Sequence, residues 1–141
     1  MPGNGKSSET RQPRVLVVDD EIFATHMLGG LLRKHGYLAA ELNNPIKAIE
    51  MAHRFQPDIV LLDIHMPWKD GYEVAEEFLA DEFLCCAPII FITGDILERN
   101  KSARSIPILF KPFSIEDLFA RLKEGIAGKF EKLPEVAIEM D

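Results

Sequence analysis

The sequence predicts an α/β fold in which helices cover both faces of a parallel β-sheet. Apolar runs with strand character and amphipathic segments alternate five times along the chain, as in βα units joined by right-handed crossovers. The runs over 14–19 and 59–63 are almost continuously aliphatic, which is typical of strands covered on both sides. Four of the runs end in a carboxylate, hydroxyl or ammonium group, and open parallel sheets bind ligands at this end of their strands.

The first half of the chain contains two predicted helices. A helix over 21–35 is indicated by apolar residues at helical spacing, and Gly36 suits the position that follows a helix. After a short strand over 37–42, Asn44 and Pro45 have the residue types of an N-cap and a first helical position, so a second helix should run to about Phe55. The apolar positions are Ile22, Met27, Leu28, Leu31 and Leu32 in the first helix, and Ile46, Ile49 and Phe55, which should face inward, in the second.

The second half continues the alternation. Asp70 and Gly71 form a turn signal after the strand over 59–63. Ser114 followed by Asp117 resembles a capping arrangement at the start of a last helix. The predicted elements are strands over 88–93 and 108–111, and helices over 72–84, 96–105 and from 114 to about 127.

Composition limits the possible functions. The 141 residues suit one domain, and the net charge of −7 argues against binding nucleic acid through a broad basic surface. No apolar run approaches the roughly 20 residues of a membrane span, so no membrane partner is expected. Residues 1–12 are predicted to form a disordered leader, 13–127 the folded domain and 128–141 a C-terminal tail.

The two cysteines are adjacent, at Cys85 and Cys86. Neighbouring cysteines make a poor structural disulfide and lack the spacing of a metal site. They are predicted to be buried, reduced thiols, which favours a cytoplasmic protein.

Polar residues at the strand ends predict a pocket for a magnesium ion and a phosphoryl group. Asp19 and Asp20 repel each other, and a divalent cation bound by oxygen ligands would relieve that repulsion. Asp63 follows a strongly apolar run, where an unpaired charge is costly, so it could be a metal ligand, a nucleophile that forms an acyl phosphate, or both. A phosphate or buried carboxylate is the expected partner of Lys111, and Thr93 could donate to a phosphoryl oxygen.

Simpler interpretations exist for some of these residues. Asp19 and Asp20 could cap the helix that follows them, where carboxylates suit the helix dipole. Thr93 could be an ordinary β-branched strand residue.

Taken together, these residues resemble the receiver domains of two-component response regulators. The resemblance covers roughly residues 14–127, and the ordered set of motifs is much more specific than any one of them. The motifs are Asp19-Asp20, Asp63 with Met66-Pro67 and Asp70-Gly71, Thr93-Gly94, and Lys111-Pro112-Phe113.

The resemblance implies a flavodoxin-like, three-layer α/β/α fold with a doubly wound, five-stranded parallel sheet in the order 2-1-3-4-5. It also implies a role for each pocket residue. Asp63 would be the phosphoacceptor; Asp19, Asp20, Asp63 and the backbone carbonyl of His65 would bind Mg²⁺; Thr93 and Lys111 would contact the phosphoryl group; and the Lys111–Pro112 peptide bond would be cis.

The resemblance further implies a signalling role. The donor would be a phosphohistidine on a sensor histidine kinase or a histidine phosphotransfer protein, and output would pass to an unknown downstream protein, with a homodimer also allowed. Such a protein is a phosphoacceptor and not an enzyme, although it promotes its own phosphorylation and dephosphorylation. The chain could act alone or form part of a hybrid kinase or larger regulator.

The sequence departs from the family pattern in two places. Ile108 stands where the family usually has an aromatic switch residue, and Phe110 on the same strand face is a possible substitute. Only 18 positions separate Thr93 from Lys111, so the fourth helix should be short or irregular. These departures leave open a pseudo-receiver that is not phosphorylated.

A phosphohydrolase with an aspartyl nucleophile is a weaker alternative. Haloacid-dehalogenase-type enzymes require an acid two residues after the nucleophile, where this chain has His65. In receiver domains, residues at the positions of His65 and Asp95 tune hydrolysis of the acyl phosphate. Two solvated loop residues would be an equally good interpretation.

Overall fold

Five parallel strands form one sheet in the order β2-β1-β3-β4-β5, which confirms the predicted fold class. A computed structural model of the chain describes residues 11–100 and 106–128. The strands are β1 (Arg14–Val18), β2 (Leu38–Leu42), β3 (Ile59–Asp63), β4 (Ile89–Thr93) and β5 (Ile108–Phe110). The helices are α1 (Ile22–Lys34), α2 (Ala48–Phe55), α3 (Gly71–Ala80) and α4 (Ile115–Ile126), with 3₁₀ segments at Pro45–Lys47 and Ile96–Asn100.

The predicted leader and tail lie outside the described residues, apart from residues 11, 12 and 128. The predicted helix over 96–105 is a 3₁₀ segment as far as Asn100, and residues 101–105 lie outside the described part. Within the described ranges, no helix combines the length and the apolarity needed to cross a membrane.

The core lies in two apolar layers, one on each face of the sheet. Because successive residues of a strand point to opposite faces, each central strand contributes to both layers. The first layer joins alternate strand residues to α2 and α3: Leu16, Val18, Val60 and Leu62 pack with Ala48, Ala52, Val74 and Phe78. The second joins the intervening residues to α1 and α4: Val15, Val17, Ile59 and Leu61 pack with Leu32, Leu118 and Leu122.

Three of the predicted apolar helix positions are exposed. Ile22 and Met27 in α1 are 70% and 72% exposed. Met27 follows the buried Thr25 by two residues, which places it on the opposite side of the helix. The prediction that Ile46 faces inward is wrong, because it lies in a 3₁₀ segment whose three-residue turn changes the direction of its side chain.

The segment after α3 corrects two further predictions. The helix ends at Ala80 rather than Leu84, since the Asp81 side chain accepts the backbone N–H groups of Phe83 and Leu84 and forms a turn. This turn buries Leu84 and leaves Cys85 and Cys86 exposed, so the prediction of buried thiols is wrong. Both cysteines are free, with 4.0 Å between their Sγ atoms.

Candidate functional site

Three carboxylates meet at the carboxyl ends of β1 and β3. These strands are neighbours in the sheet, with Val18 paired to Leu62, so the residues that follow them lie side by side. One carboxylate oxygen from each of Asp19, Asp20 and Asp63 lies within 4.8 Å of the other two. The sheet thus brings together the three acids predicted to converge.

Asp19 is held in place from several directions. Its Oδ1 accepts the backbone N–H of Glu21 at 3.0 Å, and Lys111 Nζ lies 3.3 Å from its Oδ2. The Asn43 side chain donates to the Asp19 carbonyl oxygen at 2.8 Å and to the Thr25 hydroxyl at 2.9 Å. The N-cap residue of α1 is Glu21, and the helix has no side-chain cap, so neither aspartate is the N-cap residue, although Asp19 accepts the N–H of Glu21.

Thr93 and Lys111 sit on adjacent strand ends. The Lys111 backbone N–H donates to the Thr93 carbonyl oxygen at 2.8 Å, and the Lys111–Pro112 peptide bond is cis. The Thr93 side chain is buried, and its hydroxyl accepts the backbone N–H of Asp95 at 3.1 Å. The fourth and fifth residues of the predicted pocket therefore lie at the same edge of the sheet as the acids.

The loop after Asp63 is fixed by the start of α3. Asp70 and Glu73 form a reciprocal capping box, and the Gly71 backbone N–H donates to the Ile64 carbonyl oxygen at 2.8 Å. A Cβ atom at Gly71 would stand 2.4 Å from the Asp63 carbonyl oxygen and 2.8 Å from Ile64 Cα. The predicted turn signal thus marks a close approach of backbone to the strand that carries Asp63.

The electrostatic environment of Asp63 disfavours its charged form. Burial is the largest cause, and the carboxylates of Asp19 and Asp20 add to it, so the pKa of Asp63 rises to about 7. The ammonium group of Lys111 lowers this pKa in part. A group bringing positive charge to the three acids would favour the ionised form of Asp63.

We expect an Asp63→Asn variant to be more stable than the wild type in chelator at pH 8, by about 2 kcal/mol. The pKa of Asp63 is raised in the folded state, so ionisation costs stability progressively as pH rises from about 4 to about 7. The stabilisation should therefore be small at pH 4 and complete at pH 8, as measured by urea unfolding. Asp117→Asn, at an exposed position, is the control, and a difference that does not grow with pH would contradict the expectation.

A second polar cluster lies beside this pocket. His65 Nε2 is 2.8 Å from Glu98 Oε2 and 3.7 Å from Asp95 Oδ2. The Tyr72 hydroxyl donates to Glu98 Oε1 at 2.5 Å, and burial and the Glu98 carboxylate raise the pKa of this phenol. His65 and Asp95, for which the sequence also allowed two solvated loop residues, therefore belong to one cluster with Glu98 and Tyr72.

Sequence reasoning missed Asn43, Tyr72 and Glu98. Asn43 follows a strand as an ordinary loop residue would, and Glu98 lies in a short segment with no motif. At the position of the missing switch aromatic, Ile108 packs against the first core layer, and Phe110 is half-buried.

The chain belongs to the response regulator receiver domain family, whose sequence profile matches residues 15–123. It is similar to the transcriptional regulatory protein PdtaR of Mycobacterium tuberculosis, with 32% identity over 90% of this chain and 63% of PdtaR. Identity to protein PilH of Pseudomonas aeruginosa is 30%, over 82% of this chain and 98% of PilH.

A third relative binds DNA, and one similar solved structure contains magnesium. The DNA-binding dual master transcriptional regulator RpaA of Synechocystis is 28% identical over 89% of this chain, which spans only 53% of RpaA. Because relatives include a DNA-binding regulator, the expectation that nucleic acid is not a partner has no support from them. The receiver domain of sensor histidine kinase PA1611 of Pseudomonas aeruginosa, solved with magnesium coordinated in its active site cleft, is 29% identical with a TM-score of 0.75, over 82% of this chain and 98% of that domain.

Proposed function

We propose that Asp63 accepts a phosphoryl group from a phosphohistidine, and that Mg²⁺ is required for the transfer. The supporting observation is the meeting of three carboxylates with the Lys111 ammonium group at the carboxyl edge of the sheet. The donor would be a sensor histidine kinase or a histidine phosphotransfer protein. The folded unit would be the receiver domain over residues 13–127.

The residues around the three acids fit a magnesium ion. Mg²⁺ prefers hard oxygen ligands and keeps several waters, so a few carboxylates are sufficient. Asp19, Asp20 and Asp63 would supply side-chain oxygens, and the His65 backbone carbonyl would add a fourth protein ligand. When bound, Mg²⁺ would offset the negative charge of the carboxylates and of the incoming phosphoryl group.

The transfer itself is a displacement at phosphorus. A carboxylate oxygen of Asp63 forms the new P–O bond, while the P–N bond breaks and the donor imidazole leaves with its electron pair. Phosphoryl transfer depends mainly on positioning and on neutralising charge at the equatorial oxygens. Lys111 would supply positive charge, and the Thr93 hydroxyl would donate a hydrogen bond to a phosphoryl oxygen.

Output would follow from the new charge in the pocket. A phosphoryl group adds about −1.5 to −2 charges at pH 7. Lys111, which lies 3.3 Å from Asp19, would be drawn toward this charge. The resulting change at the edge formed by β4 and β5 would be sensed by a downstream protein, and the same pocket would promote hydrolysis of the acyl phosphate.

The direct test is intact mass after incubation of the full chain with Mg²⁺ and acetyl phosphate. We expect one added phosphoryl group, with no addition to Asp63→Asn or to samples containing chelator in place of Mg²⁺. Asp95→Asn keeps a polar side chain at a neighbouring position and should still be phosphorylated.

The absence of any addition, with folded protein and Mg²⁺ present, would favour the pseudo-receiver alternative. Steady release of phosphate from a small phosphoester, without retention on the protein, would favour the phosphohydrolase alternative.

A further inference from the structure

The 3₁₀ segment after β4 exposes apolar side chains and buries a charged one. Its first two residues, Ile96 and Leu97, are 65% and 64% exposed, whereas Glu98 is only 1% exposed. Burying a carboxylate is costly unless charge and hydrogen bonds compensate for it. In this segment, two apolar side chains are therefore exposed to solvent while a carboxylate is buried.

Glu98 points toward an imidazole that a second carboxylate also approaches. His65 comes from the loop after β3, whereas Asp95 and Glu98 come from the loop after β4. The ligand atoms of these three residues lie within 4.8 Å of one another. His65 Nε2 is 2.8 Å from Glu98 Oε2 and 3.7 Å from Asp95 Oδ2.

Each carboxylate is oriented by a donor on its other oxygen. Asp95 Oδ1 accepts the backbone N–H of Leu97 at 3.0 Å, which leaves Oδ2 on the side of His65. Glu98 Oε1 accepts the Tyr72 hydroxyl, which leaves Oε2 directed at the same Nε2. Donors that orient ligating carboxylates in this way are typical of the residues surrounding a metal site.

We propose that His65, Asp95 and Glu98 bind a divalent transition metal ion of the Zn²⁺ type. This site would be separate from the three aspartates. Ligand atoms about 2.0–2.2 Å from a tetrahedral ion stand roughly 3.3–3.6 Å apart, and the distances from His65 Nε2 to Glu98 and Asp95 lie below and just above that range. One imidazole and two carboxylates suit Zn²⁺ and its neighbours, whereas an all-oxygen set suits Mg²⁺. A water would complete the coordination.

A metal at this position would join the two loops that border the Asp63 pocket. The inference goes beyond the proposed phosphoryl transfer and does not depend on it, since the metal would bind whether or not Asp63 is phosphorylated. Tyr72 acts here as a positioning residue, because its hydroxyl contacts the ligand Glu98 rather than the ion.

The test is titration of the full chain with Zn²⁺ by calorimetry, in excess Mg²⁺ so that the three aspartates do not compete. Cys85→Ser and Cys86→Ser are included in every protein to remove the two exposed thiols. We expect one Zn²⁺ per chain, with affinity reduced more than 10-fold in His65→Ala and in Glu98→Gln. Substitution of Co²⁺ should give a visible absorption band that His65→Ala abolishes.

Two control variants locate the ion. His26→Ala removes an exposed imidazole that lies 3.8 Å from Glu41, and it should leave Zn²⁺ binding unchanged. Asp63→Asn changes the acidic site alone and should also bind Zn²⁺ normally.

Tyr72→Phe tests the positioning role of the hydroxyl. It keeps the ring that packs against Phe91 and removes only the hydroxyl, so the affinity for Zn²⁺ should fall about 10-fold.

Absence of Zn²⁺ binding, or binding that His65→Ala leaves intact, would overturn the proposal. Binding that is lost in Asp63→Asn but kept in His65→Ala would place the ion at the three aspartates, and it would also overturn the proposal. His65 is half-exposed, so its alanine variant should fold, and thermal unfolding of each protein verifies this.

Discussion

Replacing Lys111 by alanine is expected to slow phosphorylation of Asp63 by acetyl phosphate about 10²- to 10³-fold. Lys111 Nζ is 3.3 Å from Asp19 Oδ2, and among the described residues it is the cation paired with the acidic cluster. Its loss would remove the charge that neutralises the phosphoryl oxygens. It would also raise the pKa of Asp63 further in the absence of metal, because the ammonium group lowers that pKa.

The rate is measured by intact mass against time at fixed Mg²⁺ and pH 8. Lys69→Ala is the matched control, since Lys69 follows Asp63 in the same loop but pairs with Glu77 at 2.7 Å. A Lys111→Ala protein that reacts as fast as the wild type would mean that Lys111 is a structural partner of Asp19 and nothing more.

Replacing Gly71 by alanine is expected to lower the free energy of unfolding by about 3 kcal/mol. The new Cβ would meet the Asp63 carbonyl oxygen at 2.4 Å and Ile64 Cα at 2.8 Å, and both are backbone atoms that cannot rotate away. Relief of this contact requires α3 to move from β3. The hydrogen bond from the Gly71 N–H to the Ile64 carbonyl oxygen would be strained at the same time.

Urea unfolding in chelator measures the loss. Gly30→Ala is the matched control, because a Cβ there meets no atom of the described residues within 4 Å and Gly30 lies inside α1. That substitution should raise stability by up to about 1 kcal/mol, through helix propensity alone. Equal stabilities for the two variants would show that the backbone around Gly71 can shift to accommodate the new Cβ without loss of unfolding free energy, and would contradict the expectation. In Gly71→Ala we also expect slower phosphorylation, since Asp63 directly precedes the displaced segment.

Strand positions and strand ends were predictable because the signal is local. Aliphatic runs such as 59–62 are fully buried only when helices cover both faces of the sheet, and a charged residue directly after such a run lies at the carboxyl end of its strand. The alternation of elements then selects a parallel sheet, which places Asp19, Asp63 and Lys111 on one side. The acidic pair, the third acid and the lysine were therefore brought together by topology alone.

Features that depend on the path of the backbone between elements were not predictable. The inward prediction for Ile46 failed since one 3₁₀ turn replaced the α-helical period. The cysteines were placed wrongly because Asp81 ends α3 early and redirects the chain. Glu98 was overlooked because its burial depends on contacts with residues far away in sequence, such as Tyr72.

The sheet divides the apolar interior into two halves that meet only across the strands. In β3, Val60 and Leu62 belong to one half, while Ile59 and Leu61 belong to the other. We therefore expect a change of side-chain volume under α2 and α3 to affect mainly the packing on that face, and to reach α1 and α4 only through the strands. The two pairs of helices thus share no core side chains in these layers, and what they have in common is the set of strands whose ends carry Asp19, Asp63, Thr93 and Lys111.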